Sequence, residues 1–280
     1  MAVFGGEVLI NRRNALGLLA ATALIPSRSF AHVSPQRSEF REDLAKRFTA
    51  EGTVGTFVGY KVDEYLIVAS DKNRSGEAML PASTFKIPNS LIALETGVVA
   101  DTDKEIFKWD GVKRSIEPWN KDHTLRSAFA ASVVPVYQEI ARRIGAERMQ
   151  KYLDQFDYGN RNIGGGIDQF WLTGDLRIDP MEQIDFVDRL RRGVLPVSKR
   201  SQELVRDILP VTKVGDAIIR AKSGLLGAEA GKPSLGWMVG WVEKGSSATV
   251  FAMNMDCKEQ SHIAARMTVV QQCLTDIVAY

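Results

Sequence analysis

Strand-like runs lie near both ends of this chain and helix-like runs fill its middle, a distribution that restricts the fold more than any other feature of its 280 residues. Gly55–Val62 and Tyr65–Ala69 read as strands, with Asp63-Glu64 between them as a short hairpin turn. Ala217–Lys222, Leu235–Glu243 and Ala248–Met255 read as strands again, before a terminal helix over Ser261–Val278. Between these groups the pattern is mostly helical from Ser83 to about Ile178. It holds an apolar run over Ser90–Leu94, a helix over Thr124–Ile144 interrupted at Pro135, and another over Ala146–Gln155. Gly159–Gly166 is a glycine- and asparagine-rich loop, and Met181–Arg191 and Ser198–Ile208 predict two amphipathic helices. Glu39–Phe48 has helical spacing and predicts an N-terminal helix. Strands so far apart share one sheet only if both chain ends reach it. The pattern therefore predicts an α+β fold: a central antiparallel sheet built from both chain ends, flanked by helices, with an all-helical insertion. An active site is expected where sheet and insertion meet.

The first residues read differently. Arg12 and Arg13 precede an apolar run from Ala15 to Ile25, Pro26 breaks it, and Ser29-Phe30-Ala31 places small residues at the −3 and −1 positions of a cleavage site. Residues 1–31 are thus expected to be a cleavable signal peptide, with paired arginines compatible with twin-arginine export. The apolar run is too short to span a bilayer. Residues 32–280 are expected as a single catalytic domain, periplasmic or secreted, with no stable membrane insertion after cleavage. The formal charge is only +2, with basic residues scattered among acids, so neither nucleic acid nor a membrane surface is indicated as a partner. His32, His123 and His262 show no zinc spacing, and no metal is expected. Cys257 closes the last strand, whereas Cys273 lies about twelve residues into the terminal helix, or roughly 18 Å along it. A disulfide needs Cα atoms within about 7 Å, so two free, buried thiols are predicted.

The sharpest chemical feature is Pro81-Ala82-Ser83-Thr84-Phe85-Lys86. Serine three residues before lysine at a helix start puts hydroxyl and amine on one face. Serine is a weak nucleophile until a base takes its proton, and a lysine held neutral can serve. The helix start also turns N–H groups toward a developing oxyanion. Ser132-Val133-Val134 puts a serine in an apolar helical stretch, where a buried hydroxyl needs a partner. Lys222-Ser223-Gly224 ends a strand of alternating pattern, where it can line a cleft wall.

The order of these elements, with Tyr158-Gly159-Asn160 between them, resembles that of the penicillin-recognising serine enzymes. In detail the chain is similar to the class D β-lactamases, or oxacillinases. The likeness includes Ser83–Gly97, Phe170-Trp171-Leu172 and Gly236-Trp237-Met238-Val239-Gly240-Trp241, and covers most of the chain from about Glu39. Ser223 stands where many members carry threonine, and the hydroxyl survives. The resemblance implies a serine β-lactamase fold and hydrolysis of the β-lactam ring of a small-molecule antibiotic through a Ser83 acyl-enzyme. It implies that Lys86 is carboxylated by CO2 and acts as general base, with Trp171 donating to the carbamate and Val134 keeping the pocket dry. It implies that Ser132 relays a proton to the departing nitrogen, supported by Lys222. It gives the N–H groups of Ser83 and Leu225 as the oxyanion hole, Ser223, Gly224 and Arg266 as substrate contacts, and Tyr158 as a wall of the pocket. No cofactor beyond CO2 or bicarbonate is expected. A β-lactam sensor or a D,D-peptidase that deacylates slowly would share the serine and both lysines. Whether the protein is a monomer or a homodimer, and which β-lactams it prefers, stays open at this stage.

Overall fold

The computed structural model describes His32 and residues 35–227 and 233–280, so the expected signal peptide at 1–31 lies outside the described residues. Its centre is a seven-stranded sheet in the order β1-β3-β2-β7-β6-β5-β4. These strands are β1 (Arg37–Phe40), β2 (Gly55–Lys61), β3 (Leu66–Ala69), β4 (Val211–Val214), β5 (Ala217–Leu226), β6 (Ser234–Lys244) and β7 (Ser247–Cys257). The decisive joint is β2 against β7, which runs antiparallel from Gly55↔Met255 to Lys61↔Thr249 and sews the early strands to the late ones.

Side chains alternate across this sheet with the period of two that a pleated strand imposes. In β6, Trp237, Val239 and Trp241 enter the core on one face, while Met238 and Val242 enter the core on the other. The first face packs against α2 (Lys86–Glu95), α4 (Val134–Ile144), α5 (Ala146–Phe156), α6 (Pro180–Arg192) and α7 (Lys199–Ile208). The second is covered by α1 (Ala45–Ala50) and α8 (Gln260–Asp276). α2 runs through the helical layer with every residue from Lys86 to Leu94 buried. Each large apolar side chain withdrawn from water this way contributes about 1.5–3 kcal/mol. No helix among the described residues is long and apolar enough to cross a membrane.

Local chemistry sets the helix ends. Thr124 caps α3 (Leu125–Ala130) in a capping box with Ser127, Asp179 caps α6 in a box with Glu182, and Ser198 caps α7. Gly145 at φ +80° separates α4 from α5, a conformation glycine reaches without Cβ strain.

Several sequence expectations are corrected. The sheet is mixed, because β1 pairs parallel with β3 from Arg37↔Leu66 to Phe40↔Ala69. The helix expected over Glu39–Phe48 therefore starts late: Glu39 and Phe40 are drawn into the edge strand, whose backbone satisfies the open side of β3. A 3-10 turn over Glu42–Leu44 then leads into α1. Thr124–Ile144 is two helices rather than one, and the break falls at Ser132, not Pro135. Pro135 sits in the first turn of α4, where its missing N–H costs nothing. Residues 97–124 and 157–179 are largely turns and loops, not helix. Lys222-Ser223-Gly224 lies inside β5 rather than at its end, and the edge strand β4 was not foreseen.

Candidate active site

Ser83 lies in a 3-10 turn over Ala82–Phe85 that runs directly into α2. The three-residue spacing brings Lys86 onto the same face, with Lys86 Nζ 2.9 Å from Ser83 Oγ. Lys86 is 0% exposed. Burial holds its amine well below the usual lysine range, and the charge of Lys222 pushes in the same direction. The ring of Tyr137 lies beneath the amine, 5.0 Å from Nζ to the ring centre.

The turn that presents Ser83 is strained. Ala82 has φ +51°, a left-handed conformation that costs a non-glycine residue about 1 kcal/mol. Its N–H donates to the carbonyl of Trp171 at 3.1 Å. Thr84 donates its N–H to Pro81 O at 3.2 Å and its hydroxyl to the same oxygen at 2.7 Å. Gln183, buried on α6, donates Nε2 to Thr84 Oγ1 at 3.0 Å.

Trp171 is fully buried and stacks on Phe85 with ring centres 5.3 Å apart. Its indole Nε1 is buried without a protein partner, an unusual condition for so strong a donor. Across the cleft, Lys222 Nζ donates to Ser132 Oγ at 3.0 Å and to Ser223 O at 2.8 Å. Burial, aided by the charge of Arg266, brings Lys222 down to about 7. The aromatic ring of Phe129 lies 5.6 Å from its Nζ.

Ser132 occupies the α3–α4 junction at φ +55° and is half-buried, not enclosed in a helix as its apolar surroundings suggested. The break turns its hydroxyl out to Lys222. Val134, the first residue of α4, is also half-buried, whereas its neighbour Val133 belongs to the core. Gly224 sits where a Cβ would lie 3.1 Å from Trp237 Cβ and 3.2 Å from Pro81 O, so β5 comes up against the Ser83 turn. Ser223 is half-buried and Leu225 is exposed along the same strand. Arg266 lies about two turns into α8, donating Nε to Ile263 O at 2.8 Å and Nη1 to Gly224 O. It is thereby oriented against β5.

Tyr158 is corrected outright. It is buried beneath the site with its ring edge-on to Phe85 and to Phe186, so it supports the nucleophile turn and walls no cleft. Its neighbours explain why: Gly159 passes close to Arg177 O, and Asn160 Oδ1 accepts the Arg177 N–H at 2.9 Å. The Tyr-Gly-Asn segment thus braces the loop that carries Trp171. Sequence reasoning missed Tyr137 and Gln183, since neither lies in a motif, and both reach the site from helices distant in sequence.

Comparisons with known proteins identify the family. The family model "Penicillin binding protein transpeptidase domain" matches residues 44–276. Beta-lactamase OXA-5 of Pseudomonas aeruginosa is 44% identical, covering 81% of this chain and 86% of that protein. Beta-lactamase OXA-48 of Klebsiella pneumoniae is 42% identical, covering 92% of this chain and 97% of that protein. The chain belongs to the class D β-lactamases.

Solved structures of the class carry the same fold. YbXI, a class D β-lactamase from Nostoc, superimposes with a TM-score of 0.80 at 39% identity, over 85% of this chain and 99% of that one. FUS-1 (OXA-85), a class D β-lactamase from Fusobacterium nucleatum subsp. polymorphum, gives 0.81 at 36% identity, over 85% and 98%. In this class D member, then, one serine is paired with a buried neutral-leaning lysine. A second serine is paired with a second such lysine, and the two pairs are near enough that the charge of Lys222 acts on Lys86.

Proposed function

We propose that this class D member hydrolyses β-lactam antibiotics through an acyl-enzyme on Ser83, and so confers resistance on the cell that exports it. The single observation that carries the reading is the Ser83–Lys86 pair: a hydroxyl 2.9 Å from an amine whose protonation burial disfavours. Ser83 Oγ attacks the lactam carbonyl carbon as its proton passes to the Lys86 end of the pair. The backbone N–H groups of Ser83 and Leu225 receive the negative oxygen. When the ring C–N bond breaks, Ser132 Oγ supplies a proton to the nitrogen, and Lys222, 3.0 Å away, supports that transfer. Arg266, Ser223 and Lys222 offer donors for the substrate carboxylate along β5. Water then attacks the acyl carbon and releases Ser83.

Lys86 and Trp171 suit carboxylation. A buried neutral amine adds to CO2, losing a proton to give an anionic carbamate, and an anion there needs donors. The unpartnered indole N–H of Trp171 and the Ser83 hydroxyl are such donors. The carbamate supplies the general base for both acylation and deacylation. In the same reading residues 1–31 direct export to the periplasm.

Two measurements test the proposal. A chromogenic cephalosporin should be turned over many times per protein molecule; a single stoichiometric burst would instead assign the sensor or D,D-peptidase function. Intact-mass spectrometry with a penicillin should show one adduct on the parent and none on Ser83→Ala, and an adduct that persists on the variant refutes Ser83 as nucleophile.

A further inference from the structure

We propose that Gln183 is a positioning residue: with Thr84 it braces the left-handed turn at Ala82 that aims Ser83 at its substrate. The inference rests on Ser83 being the nucleophile and concerns how that nucleophile is held. Ala82 immediately precedes Ser83, so its backbone angles set the direction of both the Ser83 hydroxyl and the Ser83 N–H. At φ +51° an alanine does not remain by preference. Strain of this kind persists only where the surroundings over-determine it.

The surroundings converge on this turn. Trp171 O holds the Ala82 N–H, and Pro81 O holds both the N–H and the hydroxyl of Thr84. Gln183 closes the chain. Thr84 Oγ has a single proton, already committed to Pro81 O, so it meets Gln183 only as an acceptor. The Nε2 donor fits that need at 3.0 Å. Donors in series polarise one another, and here the series ends on the strained turn.

Gln183 is itself anomalous. It is 1% exposed and neighbours the core residues Ile184, Phe186 and Val187 on α6. An amide in such a place costs free energy unless it is bonded. α6 is also fixed to the same segment just upstream, where Met79 and Ile178 exchange backbone hydrogen bonds of 3.0 and 2.9 Å. The brace therefore has a rigid footing, because the helix that carries it is tied to the strand-like stretch leading into Ser83.

The test uses glycine, which adopts the left-handed conformation without strain and needs no brace. Gln183→Leu and Thr84→Val are each made in the parent and in an Ala82→Gly background. Acylation by a penicillin is followed in single-turnover stopped flow and normalised to the fraction of protein that carries the adduct at the end point. In the parent each substitution should slow acylation about tenfold or more; in the Ala82→Gly background each should cost less than about threefold. A residue that merely fills the core would cost the same factor in both backgrounds. Equal factors overturn the brace, and so does an unslowed parent. If Gln183→Leu does not fold, the near-isosteric Thr84→Val decides alone. The Ser83→Ala adduct experiment judges the nucleophile separately, so failure of that reading and failure of the brace give different results.

Discussion

Lys86 and Lys222 are both buried, and burial acts on both in the same direction. Each also carries a neighbour that resists its protonation: Lys222 acts on Lys86, and Arg266 acts on Lys222. A lysine in water, with a pKa near 10.4, is almost wholly charged at neutral pH and unable to take a proton. Lowering the pKa makes the neutral amine available, which is the form that captures CO2. The sign of the pH effect follows. If Lys86 is carboxylated as proposed, acid protonates the carbamate and then the amine, so activity should fall in mildly acidic, CO2-depleted buffer and recover when bicarbonate is added. The 13C signal of a lysine carbamate should rise and fall with it. A rate indifferent to degassing and bicarbonate, with no such signal, would leave Lys86 as a bare amine. Trp171→Ala removes the unpartnered indole donor and should slow deacylation more than acylation, so that acyl-enzyme accumulates in the mass spectrum.

Among the elements, α6 shows how local signals translate into stability and function together. Asp179 Oδ1 accepts the Glu182 N–H at 2.8 Å while Glu182 Oε2 accepts the Asp179 N–H at 2.9 Å. Asp179→Ala removes the first of these bonds, the one its carboxylate makes, and should cost about 1 kcal/mol. For a chain of this size that lowers the melting temperature by about 2–4 °C. An unchanged midpoint in calorimetry would show that Pro180 and the packing of α6 suffice. The amphipathic pattern made α6 legible as Met181–Arg191, close to its span of Pro180–Arg192. Signals that act at longer range were not legible. β1 and β4 are four-residue edge strands; β1 is exposed along its whole length, and β4, with the sequence Val-Thr-Lys-Val, is too short for its alternating burial to show as an apolar pattern. Pro135 drew attention from the real helix break at Ser132, since a proline at a helix start and one at a helix break look alike in sequence. Within the site, Ser83 and Lys86 were readable because they lie one turn apart. Gln183 was not, because its partner Thr84 lies 99 residues away.

The whole molecule places its two thiols where they do not meet. Cys257 ends β7 and Cys273 lies well inside α8; both are buried and unpaired. Burial raises both thiols, Cys273 to about 12, so little reactive thiolate forms. Thiol titration of denatured, unreduced protein should count two, and the native protein should react slowly; a count of zero would contradict the unpaired state of Cys257 and Cys273. The joint between β2 and β7 has a different consequence, one of time rather than energy. Gly55 and Met255 pair across 200 residues of chain. Pairing at such separation demands closure of a very large loop and slows folding. During synthesis β2 emerges early and must wait, its backbone unpaired on the side that β7 will occupy, until nearly the whole polypeptide has followed. A chain that stops before Ser247 lacks β7 entirely, and with it the strand that joins β2 to the cleft wall. Such a fragment is no weaker version of the enzyme. It is an open sheet, a substrate for proteases and a nucleus for aggregation, so truncation near the end should be as disabling as truncation near the start.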